Sequence, residues 1–108
     1  MPKESEFELF KKYFLEYYES FGLYDWRILN FIEDKPSKDK PYSTISYIIE
    51  QHECWVIFYG GLEPYSNKEV KEKALHEVLH LLLAPYRANV EKDHRVINRL
   101  LKVILGHL

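Results

Sequence analysis

The chain predicts an α+β fold, a small three-stranded sheet packed with three helices in the order α-β-β-β-α-α. Three observations carry this. Two helix-start signatures, Ser5-Glu6-Phe7-Glu8 and Ser66-Asn67-Lys68-Glu69, each set a glutamate three residues after a serine. Between them lie three stretches rich in β-branched and aromatic residues, "WRILNFI", "YSTISYIIE" and "CWVIFY". Beyond Pro85 a further apolar stripe recurs at helical spacing. Helices flanking a run of strands imply a small antiparallel or mixed sheet with helices packed against it.

Each element has a local reason. Phe7, Phe10, Phe14, Tyr17 and Phe21 recur at helical spacing after the Ser5 cap, and Gly22 can stop the helix, so helix one is expected over about Glu6 to Ser20. The first strand is expected from Trp26 to Ile32. The loop "EDKPSKDKP" closes it, with two prolines and six charges. Strands are expected at Tyr42 to Glu50 and Cys54 to Tyr59, with Gln51-His52-Glu53 as a short hairpin connection. Gly60-Gly61 ends the last of them. Helix two should run from the Ser66 cap to about Ala84, ended by Pro85. Asn89 can cap helix three, continuing to about Leu105.

Composition narrows the function classes. With 108 residues, one domain spanning 1–108 and one modest core are expected. Aromatics reach 16%, and large rings help a small core bury enough area. The net charge of −2 and the absence of a basic tract disfavour nucleic acid as a partner. One cysteine, Cys54, excludes an intrachain disulfide. The charged N-terminus lacks the apolar core of a signal peptide, and the longest apolar run, Cys54 to Leu62, is too short to span a membrane as a helix. The expectation is a cytoplasmic protein with no membrane partner.

The chemistry-bearing motif is "ALHEVLH", in which His76 and His80 bracket Glu77. At i and i+4 the two imidazoles project from one face of a helix, close enough to share one ion. Zinc suits them, since three protein ligands leave a position for water. Glu77, one residue round from His76, lies near the ion and can take the proton of that water. Average residue usage produces this motif by chance in roughly one of a few hundred chains of this length, so its surroundings have to decide.

On the helical wheel Ala74, Leu75, Val78, Leu81 and Leu82 share one side, and His76 and His80 point almost opposite, beside Glu69, Glu72 and Lys73. They are therefore surface histidines or the floor of a cleft. Leu79 and Leu83 close beside them suggest that something partly covers this face. A third ligand is expected from the stripe of Val90, Ile97, Leu101, Ile104 and Leu105, within which His94 falls. Glu91, on the polar flank, ranks second, and Asp93 turns well away. His52 reads as a surface turn residue and His107 as an idle tail residue or a ligand for the open zinc position. Tyr86 and Arg87 read as packing and solvated residues, though either could polarise a carbonyl. Cys54 reads as a buried, inert thiol, and Trp55, Phe58 and Tyr59 as core.

"ALHEVLHLLLAP" followed by "DHRVINRL" resembles the minigluzincins, small soluble zinc peptidases of thermophilic prokaryotes. These are related to the catalytic domains of integral-membrane peptidases of the prenyl-protein-processing and antibiotic-sensor kinds. The resemblance covers nearly the whole chain. It implies His76 and His80 as the first two ligands of one zinc, Glu77 as general base, and a peptide or protein as substrate, lying along an edge strand placed at Ser43 to Ile49. Most gluzincins use a glutamate as third ligand. His94 departs from that pattern, and Glu91 stands as the alternative. The family's latency implies that 102–108, with Gly106-His107-Leu108, is an inhibitory segment, acting in a monomer or across a homodimer. Two other classes compete. A zinc-bound protein-interaction domain without turnover would want a closed fourth ligand in place of Glu77. A helix-turn-helix would want phosphate-binding charge where the histidines stand.

Overall fold

Ser5 opens the first helix, α1 (Glu6–Ser20), in this computed structural model, which describes residues 5–84, 97–99, 101 and 102. Its hydroxyl accepts the Glu8 backbone N–H at 3.1 Å, half of the expected box. The helix ends in a Schellman arrangement: Gly22 N–H donates to the Glu19 carbonyl and Leu23 N–H to the Tyr18 carbonyl. Gly22 takes φ +65°, where a side chain would be strained. The helix matches its expected bounds.

Three strands follow, β1 (Arg27–Glu33), β2 (Ser43–Ile48) and β3 (Glu53–Phe58). The sheet is mixed, in the order β1-β3-β2, with β1 parallel and β2 antiparallel to the central β3. A 3₁₀ turn, Ile49–Gln51, joins β2 to β3, and His52 completes the reversal at φ +52°. The expected second strand therefore stops two residues early, because its last residues enter this turn.

Alternation in β3 sends Cys54, Val56 and Phe58 into the core and Trp55 and Ile57 to the opposite face. Of the expected aromatic core cluster, Phe58 is buried. Trp55 and Tyr59 are only half-buried, and Trp55 points away from the helices because it is one residue out of phase with Phe58.

The helix α2 (Asn67–Leu83) starts with a complete capping box: Ser66 Oγ accepts the Glu69 N–H at 3.2 Å, and Ser66 N–H donates to Glu69 Oε1 at 3.1 Å. A third helix, α3, is described at 97–99 and 101–102. Ile97 is fully buried and Leu101 packs against the core, as the expected stripe requires. The element order is α-β-β-β-α-α.

The core lies between the sheet and the helices, with Phe10, Phe14, Trp26, Leu75, Val78 and Leu79 at its centre. α1 packs on α2, and α2 packs on β2. These three elements start at the same end of the molecule. The Glu6 carboxylate accepts the Tyr42 hydroxyl at 2.6 Å and the Tyr65 N–H at 3.5 Å, and the Tyr42 and Tyr65 rings stack at 4.5 Å. Farther along, the Lys71 ammonium lies 5.8 Å from the Tyr13 ring centroid.

Candidate metal centre

The buried positions of α2 are Val70, Ala74, Leu75, Glu77, Val78, Leu79 and Leu81, with His76 and His80 half-buried on the other side. The histidines are thus flanked by the core, and full burial of Leu79 beside them fits the covered face expected from the sequence.

Their Nε2 atoms converge at 3.0 Å, with ring centroids 4.7 Å apart and planes at 68°. A tetrahedral ion about 2.0–2.1 Å from each nitrogen would set them about 3.3 Å apart, so the pair needs only a small adjustment to grip one. His76, Glu77 and His80 each offer a ligand atom, all within 4.8 Å of one another. The group can hold a metal ion.

Glu77 is only 5% exposed, and its Oε2 has no hydrogen-bond partner among the described residues. Burial pushes its carboxyl up to about 8, against the pull of the Lys73 ammonium. A buried carboxylate lacking partners is costly on its own, and a divalent cation beside it would offset that cost. The residues present therefore fit a bound cation. The burial of Glu77 follows from its spacing to Ala74 and Leu81, which puts it on the edge of the apolar side.

The structure brings together the three HExxH residues. His94, Glu91, Asp93, Tyr86, Arg87, Asn89 and His107 lie outside the described residues. Cys54 is fully buried and its thiol is pushed up to about 11 by desolvation, as expected of an inert group. His52 is more engaged than a plain surface residue. Its ring stacks on Trp26 at 4.8 Å, and its Nδ1 lies 3.2 Å from Asp25 Oδ2.

The strand nearest this helix is β2, and its far side has no paired strand among the described residues. Tyr59 N–H donates to the Tyr42 carbonyl. In an antiparallel ladder this phase turns the main-chain groups of Ser43, Ile45 and Tyr47 outward. β2 is therefore an edge strand among the described residues, one residue shorter than the expected Ser43 to Ile49 because Ile49 enters the 3₁₀ turn.

Fold and cluster together define a small α+β domain with a candidate divalent-metal centre on α2. Comparison with protein-family models, curated proteins and solved structures gives no match. Among the described residues no helix is long and apolar enough to cross a membrane.

Proposed function

We propose that the protein is a zinc-dependent endopeptidase of minigluzincin type, with His76, His80 and His94 as ligands and Glu77 as general base. The observation that carries the reading is a buried, unpartnered carboxylate oxygen beside two imidazoles whose Nε2 atoms converge. A purely structural site would favour a closed ligand set over such a carboxylate. Zinc held by these residues would supply Lewis-acid chemistry for activating a water. Glu77 takes the proton from the attacking water and returns it to the leaving amine. An extended substrate adds to the outward main-chain groups of β2, which fixes its backbone beside the histidine face.

The test is hydrolysis of an unfolded protein by the zinc-loaded chain. It should stop with a chelator, return with zinc, and be absent in Glu77→Gln at equal zinc content. Zinc binding without turnover in the wild type would instead favour a non-catalytic interaction domain. The segment 102–108 is proposed to obstruct the cleft, with His107 as a ligand for the open zinc position. Deleting Gly106 to Leu108 should raise activity at equal zinc loading, and no rise in a folded, metallated variant removes direct obstruction by the tail.

A further inference from the structure

The charge pattern of α2 beside the edge strand points to a substrate preference. This inference rests on the peptidase reading for its meaning, though its test does not depend on turnover. Because α2 and β2 start at the same end, position along one can be compared with position along the other. His76 lies about 15 Å from Ser66 at about 1.5 Å per helical residue, and Tyr47 about 16 Å from Tyr42 at about 3.3 Å per strand residue. The histidines are thus roughly level with the end of β2.

An extended peptide pairing antiparallel to β2, the slightly more stable arrangement, runs against the direction of α2. Residues on the carboxyl side of a bond held at the histidines then pass toward the N-terminal half of the helix. Lys73 stands there, one turn before His76 on the exposed side. Among the described residues no carboxylate lies within ion-pair distance of it. Glu69, four residues earlier, has its carboxylate turned back to the Ser66 N–H. Glu72, the neighbouring charge, falls four residues before His76, whereas Lys73 falls four before Glu77 and so shares the side of the helix that carries this carboxyl.

We propose that Lys73 is a specificity-determining residue that selects peptides carrying a carboxylate within two residues on the carboxyl side of the scissile bond. That carboxylate can be an acidic side chain or a free chain terminus. Both present the same group to the ammonium, and the ion pair is exposed to solvent and sensitive to salt.

The experiment uses one peptide sequence in four forms, with Glu or Gln at the second position after the cleaved bond, and with a free or amidated C-terminus directly after it. Specificity constants are measured for the zinc-loaded wild type, Lys73→Met and Lys73→Glu. Affinities of the same peptides are measured on Glu77→Gln and on Glu77→Gln with Lys73→Met. The wild type should favour each carboxylate form by about two- to five-fold, the size of an exposed ion pair. The preference should vanish in Lys73→Met and fall below unity in Lys73→Glu. The ratio between peptides cancels any effect of Lys73 on Glu77 common to all substrates. Which form responds separates an acidic side chain from a chain terminus. A preference that survives Lys73→Met, or is absent from the wild type in both turnover and binding, overturns the inference. Charge-dependent binding without turnover would remove the peptidase reading and leave the role of Lys73 standing.

Discussion

Glu77 shares a stripe of α2 with Val70, Ala74 and Leu81, and its carboxyl is buried with them. In the metal-free protein this has a consequence with a definite sign. The folded carboxyl titrates near 8, against 4.5 ordinarily, so the folded chain binds more protons than the unfolded one between those values. Its contribution to stability is full below about 4.5 and is lost as pH rises through about 8. Chelator-treated wild type should therefore lose stability from pH 5 to pH 8 relative to Glu77→Gln, by on the order of a few kcal/mol. Urea melts of both proteins at each pH isolate the Glu77 contribution, because the histidines titrate in both. Equal pH profiles would mean that the carboxyl reaches solvent. With a divalent ion bound the difference should shrink, since the neighbouring charge favours the carboxylate.

At the level of elements, capping chemistry and alternation made most of the fold readable. Ser66 and Glu69 form the box that their spacing promised, and Gly22 stops α1 by taking a positive φ. The Ser66 box also sets where α2 begins, and so the level of His76 and His80 along β2. Ser66→Ala should cost about 1 kcal/mol, a fall of about 4–8 °C in the thermal midpoint for a domain near this size. Ser66→Asp should recover most of it, and a melt of each variant checks both. Strand pairing was less legible. The sequence of β1 does not say that it pairs parallel to β3 across the chain's return, because that choice is made by helices packing on one sheet face. Trp55 was misplaced for a related reason: large aromatics suggest core until the phase of the alternation is fixed by Cys54, Val56 and Phe58. For the centre, the sequence supplied the two imidazoles and the carboxyl, while the convergence of the nitrogens and the missing partner of Glu77 emerge only in three dimensions.

Across the whole molecule, a metal held at the candidate centre would tie fold stability to metal binding. α2 carries the two histidines proposed as ligands, and α3, whose Ile97 and Leu101 face the core, is proposed to carry the third. An ion held by both helices binds only the folded chain, so its binding free energy adds to folding free energy. At free zinc about 100-fold above the dissociation constant this amounts to about 2.7 kcal/mol, enough to raise the thermal midpoint by about 10 °C or more. The identity of the third ligand can be read from the same melt. In the sequence pattern His94 falls three residues before Ile97, within the apolar spacing expected of helix three, whereas Glu91 falls six before it and outside that spacing. His94→Ala should therefore lose most of the zinc-induced rise and bind less than one zinc per chain by metal analysis. Glu91→Ala should keep both. Because the two variants are compared with and without zinc, any packing lost by the substitution itself appears in the metal-free melt and is subtracted. A full zinc-induced rise in His94→Ala together with its loss in Glu91→Ala would assign the third ligand to the Glu91 carboxylate instead.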